Sequence, residues 1–188
     1  MDTLVRTYPN ALPVEECDKL VAKFEASPSL HYKQAEGEMS FTQIDFLEHS
    51  KVFAQDQANI LNHSFPYIEQ YKKDTNAHFP PKYSFEAVRM KKYEANGIDQ
   101  FGNHIDATTL ANSRRWLVFF YYLDDNKEGA TVIEPHGHID TLGFEDVIYS
   151  PCNKGTLIIF PVGFAWPHRG EKPVEKPKYI VGSYLHYV

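Results

Sequence analysis

The sequence predicts a mainly β domain with supporting α-helices, on three observations. Past Asn76 the segments are rich in aromatic and β-branched residues, and Gly, Pro, Asn and Asp clusters separate them. Eight such segments follow one another, the count of a jelly-roll sandwich or barrel. Helical periodicity is confined to the first part of the chain. With 188 residues, 43% of them hydrophobic and 14% aromatic, the chain has the length and apolar content of one domain with a substantial core. We therefore expect a single domain over 1–188, with 1–84 mostly helical support and 85–188 the β core.

Thr3 to Tyr8 alternates weakly and predicts a short strand ahead of Pro9-Asn10. A helix follows, because Pro13 suits a first turn and Glu15, Glu16 and Asp18 favour its positive end. Cys17, Leu20, Val21 and Phe24 fall on one face of it, and it stops near Ser27-Pro28. From Ser50 to Lys73 the apolar positions Val52, Phe53, Ile60, Leu61, Phe65 and Ile68 predict one long helix, or two with a break at Pro66. The strand segments are Phe85 to Glu94, a short piece at His104 to Asp106, Arg115 to Leu123, Thr131 to Ile133, Asp146 to Tyr149, Gly155 to Phe160, Phe164 to Arg169 and Lys178 to Tyr187.

Composition excludes several function classes. Nineteen Lys and Arg against twenty-five Asp and Glu give a net charge of −6, which disfavours nucleic acid as a partner. The longest apolar run, Trp116 to Leu123, is far shorter than the roughly 18 to 20 residues of a membrane span, so no membrane contact is expected. The N-terminus shows no signal-peptide pattern, and Cys17 and Cys152 lack CxxC spacing. Both cysteines read as reduced packing residues of a cytoplasmic protein.

His104-Ile105-Asp106 places an imidazole and a carboxylate two residues apart, on one face if the segment is a strand. The same triplet recurs as His138-Ile139-Asp140. Only the first stands ahead of the whole strand series and has a third histidine, His168, 64 residues on. We set the second aside as a chance repeat in a Pro-His-Gly-His loop. A zinc role for His136 and His138 stays open but has no partner at a usual spacing.

Two histidines and a carboxylate are the facial triad of non-haem iron(II), which leaves coordination positions free for a cosubstrate and O2. A keto acid chelating there needs a cation for its far carboxylate. Lys178, ten residues after His168, suits that need in spacing and charge.

At this point the sequence resembles the iron(II) and 2-oxoglutarate-dependent dioxygenases, and within them the prolyl 4-hydroxylase-like group. The resemblance rests on motifs met in order: a strand ending in Tyr93, His104-Ile105-Asp106, a strand from Arg115 to Tyr122-Leu123-Asp124-Asp125, Gly129-Ala130-Thr131, Gly155 to Phe160, His168 and Lys178. The helix start Leu12-Pro13-Val14-Glu15-Glu16-Cys17-Asp18 is similar to the group's N-terminal segment.

The resemblance implies a double-stranded β-helix of the jelly-roll, cupin-like kind. It also implies Fe(II) held by His104, Asp106 and His168, and 2-oxoglutarate with O2 as cosubstrates. Lys178 would pair the distal carboxylate of 2-oxoglutarate, Tyr93 would reach the same group, and Thr131 would line its pocket. Glu86, Arg115, Tyr184 and His186 match peptide-contacting positions, so the implied substrate is a proline in a peptide or protein. Ascorbate is left open as a further cofactor.

Three departures touch substrate identity: Tyr184 stands for a usual tryptophan, Glu128-Gly129 for a Gly-Gly pair, and two extra residues separate Tyr93 from His104. The rival readings are oxidation of a free amino acid, another small metabolite or a nucleobase, and a non-catalytic cupin-like binding module. Oligomeric state is not legible.

Overall fold

In a computed structural model, which describes residues 4–135 and 147–188, two helices pack on a β-sheet that turns back on itself. The segment with His136, His138 and Asp140, and the start of the expected strand at Asp146, lie outside the described residues.

The first strand, β1 (Arg6–Tyr8), leads to α1 (Val14–Glu25), whose buried face is Cys17, Leu20 and Phe24. This is the periodicity the sequence carries. After it comes a hairpin that periodicity did not announce, β2 (Tyr32–Glu36) and β3 (Met39–Asp45). β2 is too polar and exposed to alternate. The local signal was the turn, where Gly37 takes φ +55° between Glu36 and Met39.

α2 (Ser50–Thr75) is one continuous helix with Pro66 inside it. A proline in a helix interior costs about 3 kcal/mol. The burial of Phe53, Ile60, Ile68 and Tyr71, at about 1.5 to 3 kcal/mol per large apolar side chain, outweighs that cost. No helix among the described residues is long and apolar enough to cross a membrane.

The expected strand Phe85–Glu94 is two strands, β4 (Tyr83–Phe85) and β5 (Arg89–Tyr93). Both pair with β12 (Lys178–Tyr187), Phe85 opposite Leu185 and Arg89 opposite Gly182. One extra residue therefore sits on the β4–β5 side, where residues 86–88 interrupt the pairing. Beyond these run β6 (Gln100–His104), β7 (Arg115–Tyr122), β8 (Asn126–Ile133), β9 (Ile148–Cys152), β10 (Leu157–Pro161) and β11 (His168–Gly170). β6 ends at His104, so Asp106 lies just past the strand rather than on it, and the expected strand from Phe164 begins only at His168.

The order is β1-β10-β7-β12-β5-β3-β6-β11-β8-β9. Strict alternation along β7 divides the core. Leu117, Phe119 and Tyr121 face the helices with Leu157 and Ile159 of β10, whereas Val118, Phe120 and Tyr122 face inward with Ile158, Phe160, Ile133 and Cys152. Both cysteines are buried and free.

The β2–β3 hairpin is latched to the sheet by Asp99, only 1% exposed. Its carboxylate accepts from Lys33 Nζ at 2.8 and 2.9 Å, Ser40 Oγ at 2.6 Å and the Glu94 amide at 3.1 Å. Burial opposes the charge, but these donors prevail and hold its pKa down at about 2. The folded pKa lies below the unfolded one, so the contribution is present above about pH 4 and is lost as pH falls through about 2. Asp99→Asn should cost about 1 to 3 kcal/mol in denaturant unfolding at pH 7, and the difference from wild type should shrink as the pH is lowered towards 2.

Candidate active site

His104 closes β6 and His168 opens β11, and the two residues are directly opposite in the β6–β11 ladder. Asp106 swings back towards both. His104 Nε2 lies 3.5 Å from Asp106 Oδ1, and His168 Nε2 lies 3.4 Å from Oδ2. One ligand atom from each falls within 4.8 Å of the others, which is the only such three-residue cluster among the described residues.

Each imidazole is oriented by its own backbone. His104 Nδ1–H donates to the Gly102 carbonyl at 2.8 Å and His168 Nδ1–H to the Trp166 carbonyl at 3.0 Å. That choice of tautomer leaves both Nε2 lone pairs aimed at the carboxylate. Aromatic rings hold the imidazoles flat: Phe101 stacks on His104 at 3.6 Å, and Phe160 meets His168 edge-on at 4.9 Å.

The charges agree with a cation between these three groups. Burial opposes ionisation of Asp106, but the neighbouring histidines and the Tyr184 hydroxyl hold it well below the usual carboxylate range. Burial pushes the His168 pKa down and keeps the imidazole neutral, as a ligand must be. Asp106 Oδ2 is buried and accepts no hydrogen bond from the described residues. A buried carboxylate oxygen without a donor, facing two imidazole lone pairs, fits a divalent metal.

Asp106 Oδ1 accepts a hydrogen bond from Tyr184 Oη at 2.8 Å. The Arg115 guanidinium lies 4.0 Å over the Tyr184 ring and donates to the Asp106 carbonyl at 3.2 Å. Two more Arg115 donors meet the Glu86 carboxylate at 2.7 Å each. His186 Nδ1 is 4.0 Å from Glu86. All four residues expected to touch a peptide thus come together, but as a buttress behind the metal carboxylate. Arg115 and Tyr184 line the adjacent cavity, while Glu86 and His186 do not.

A small cavity of about 50 Å³, which shares His104, Asp106 and Lys91 with the larger one, is lined further by Tyr93, Thr131, His168, Gly170 and Lys178. Lys178 is 1% exposed, which excludes its reading as a surface lysine. Its ammonium donates to the carbonyls of Gly129 at 3.0 Å and Glu171 at 3.3 Å, and lies 4.8 Å over the Tyr93 ring. Glycine at 129 makes room for it, since a Cβ there would stand 2.8 Å from Lys178 Cδ. Burial lowers the Lys178 pKa to about 8. Thr131 Oγ1 accepts from Tyr122 Oη at 2.8 Å, which turns the threonine's own proton away from Tyr122.

The model of the 2OG-Fe(II) oxygenase superfamily matches residues 88–186, more than half the chain and the part that carries every ligand described above. The chain belongs to this superfamily. No curated protein sequence matches it. Among solved structures, this oxygenase is similar to the viral collagen prolyl hydroxylase of Paramecium Bursaria Chlorella virus-1, with 18% identity, TM-score 0.66, and coverage of 99% of this chain and 97% of that one. It is similar to a Pseudomonas putida prolyl-4-hydroxylase, with 12% identity, TM-score 0.64 and coverage of 99% and 94%. It is also similar to SnoN, a non-heme alpha ketoglutarate-dependent epimerase of nogalamycin biosynthesis, with 11% identity, TM-score 0.69 and coverage of 98% and 79%. At these identities the likeness is one of fold, and the fold is the double-stranded β-helix of 2-oxoglutarate oxygenases. The superfamily uses Fe(II), 2-oxoglutarate and O2, and the triad of this oxygenase fits the iron.

Sequence reasoning missed Lys91, Tyr122, Phe101 and Phe160. Lys91 lines both cavities and was legible in principle, because it stands two residues before Tyr93 on the same face of β5.

Alanine at His104, Asp106 or His168 should abolish Mn(II) binding followed by electron paramagnetic resonance, while His138→Ala and Asp140→Ala should leave it intact. Tyr184→Phe should keep the fold and weaken Mn(II) by about tenfold to a hundredfold, because it removes the donor that orients Asp106.

Proposed function

We propose that this oxygenase hydroxylates a C–H bond of a peptidyl proline, with 2-oxoglutarate and O2 converted to succinate and CO2 and one oxygen atom inserted into the substrate. The observation that carries the reading is the cavity of about 460 Å³ opening directly on His104 and Asp106. Met39, Phe41, Phe101 and Phe120 give it apolar walls wide enough for a pyrrolidine ring, and Gln34, Gln43, Asn112 and Arg115 supply polar groups for an extended backbone. The fold-level likeness to two prolyl hydroxylases supports the same substrate.

In this reading all 188 residues act as one oxygenase domain, and its side chains divide the work. His104, Asp106 and His168 hold iron(II), which supplies the activation of O2. Lys178 and the Tyr93 hydroxyl, which makes no hydrogen bond among the described residues, take the distal carboxylate of 2-oxoglutarate, with Thr131 beside them. Tyr184 and Arg115 keep Asp106 in place while facing the substrate. Phe41 and Phe101 exclude water from the reacting C–H, so that placement supplies the rate. The two buried, free cysteines suit a cytoplasmic setting.

A second reading, oxidation of a free amino acid or another small metabolite, is favoured by one observation. Glu86 and His186 are spent on Arg115 and one another rather than presented to the cavity.

Mass spectrometry of a proline-containing peptide panel incubated with Fe(II) and 2-oxoglutarate, with and without ascorbate, should show the gain of one oxygen atom. A panel left unoxidised while a small metabolite is hydroxylated would transfer the assignment to the second reading. Lys178→Met should raise the 2-oxoglutarate requirement by about tenfold or more and leave Mn(II) binding unchanged, with Lys172→Met and Lys176→Met as controls. In the wild type, 2-oxoglutarate affinity should decline as pH rises past about 8, where the Lys178 ammonium loses its proton.

A further inference from the structure

Lys91 is a cation with no acid in contact with it among the described residues. Its ammonium stands 4.7 Å from the centre of the Phe41 ring and 4.8 Å from that of Phe101, and among the described residues it has no hydrogen bond or ion pair. Its neighbours on the same strand and hairpin are all matched. Arg89 meets Asp45 at 3.0 Å and Glu86 at 3.6 Å, Lys92 meets Glu25 at 2.9 Å and Glu94 at 2.7 Å, and Lys33 meets Asp99 at 2.8 Å.

The position of Lys91 is fixed from both sides. On β5 it alternates inward with Arg89 and Tyr93, opposite Ile180 of β12 and Gln43 of β3. The two rings that hold the ammonium are walls of the larger cavity, and one of them, Phe101, is the ring stacked on the metal ligand His104. The charge is therefore one ring away from the reacting centre. Among the described residues Asp106 is the only acid lining that cavity, and it is committed to the triad. Burial among these rings lowers the Lys91 pKa to about 8, so the ammonium form carries a desolvation cost that the two rings and the charge of Asp106 offset only in part.

We propose that Lys91 is the recognition site for an anionic group of the substrate, and that the molecule hydroxylated by this chain carries a carboxylate that pairs with it. The proposal rests on the oxygenase reading above and names a chemical feature of its substrate. The carboxylate can belong to the oxidised residue itself or to a neighbouring acidic residue of a peptide, and the two sources are separable by experiment. Lys91 borders the smaller cavity as well, but its ammonium lies over Phe41, a wall of the larger cavity alone, whereas the proposed function gives the distal carboxylate of 2-oxoglutarate to Lys178, Tyr93 and Thr131.

The test is calorimetric binding under anaerobic conditions, on the 188-residue chain with Mn(II) and saturating 2-oxoglutarate. Three acid and amide pairs serve as probes: N-acetylproline and its amide, N-acetyl-Pro-Glu-amide and its Pro-Gln counterpart, and N-acetylleucine and its amide. The wild type should prefer the acid in at least one pair by about tenfold or more, the scale of a charge-assisted hydrogen bond. Lys91→Met and Lys91→Gln should both bring that preference to within about twofold, and Lys92→Met should retain it.

Preference in the first pair places the carboxylate on the oxidised residue, and preference in the second places it on a peptide neighbour. Preference in the leucine pair alone keeps the Lys91 assignment and removes proline from the proposed function. The proposal is overturned if no pair discriminates, if discrimination survives Lys91→Met, or if Lys91→Met loses 2-oxoglutarate binding by about tenfold, which would give the ammonium to the cosubstrate. A wild-type chain that takes up neither Mn(II) nor 2-oxoglutarate overturns the oxygenase reading and this proposal together.

Discussion

Strands β5 and β12 lie antiparallel with Lys178 opposite Tyr93, Ile180 opposite Lys91 and Gly182 opposite Arg89. Side chains alternate across a strand, so this register decides which groups enter the barrel. The inward set holds Lys91, the buried Lys178, Tyr93 and Tyr184, and the outward set, with Met90 and Val181, joins the core beneath the helices. A slip of one residue would exchange the two sets, moving four polar groups into the apolar core and their apolar neighbours into the cavity. The apolar alternation of β7 on the other side of β12 pins that register. Leu117 faces the core opposite Leu185, and Val118 faces the barrel opposite Tyr184.

Within that frame the metal triad depends on backbone, not on side-chain chance. A histidine whose Nδ1–H is held by a carbonyl two residues before it, as both His104 and His168 are, can offer only Nε2. Asp106 carries the complementary charge and is kept ionised at the cost of burial. Tyr184, Arg115 and Glu86 then form a chain of decreasing burial demand, in which each group satisfies the next and the last carboxylate is shared with Arg89 and His186.

The parts legible in the sequence were those written in spacing. His104, Asp106, His168 and Lys178 meet as their intervals imply, and the apolar stripes of α1 and α2 are buried as their periods require. What was not legible depends on tertiary partners. Nothing local says that Asp106 leaves the strand, that α2 runs on through Pro66, or that a polar segment such as Tyr32–Glu36 becomes an edge strand once Phe41 and Ile44 of β3 are buried. The four positions matched to peptide contacts lie next to one another in the structure. The matching could not reveal that Glu86 and Arg115 neutralise one another, because a bidentate pair between residues 29 apart exists only once β4 and β7 are both paired with β12.

Under the proposed function, that pairing moves substrate recognition to another part of the molecule. Glu86 closes two of the Arg115 donors and the Tyr184 hydroxyl is bound to Asp106, so the polar groups nearest the metal have little capacity left for a ligand. The unspent capacity lies on the opposite wall, which the β2–β3 hairpin and β5 build from Gln34, Gln43, Phe41 and Lys91. The Asp99 latch attaches that wall to the barrel through Lys33 and Ser40, one from each hairpin strand. The metal side is thus fixed by groups satisfied among themselves, and the hairpin side carries Gln34, Gln43 and Lys91, whose side chains make no hydrogen bond or ion pair among the described residues. On this division, exchange of hairpin residues can alter what is oxidised without disturbing how the metal is held.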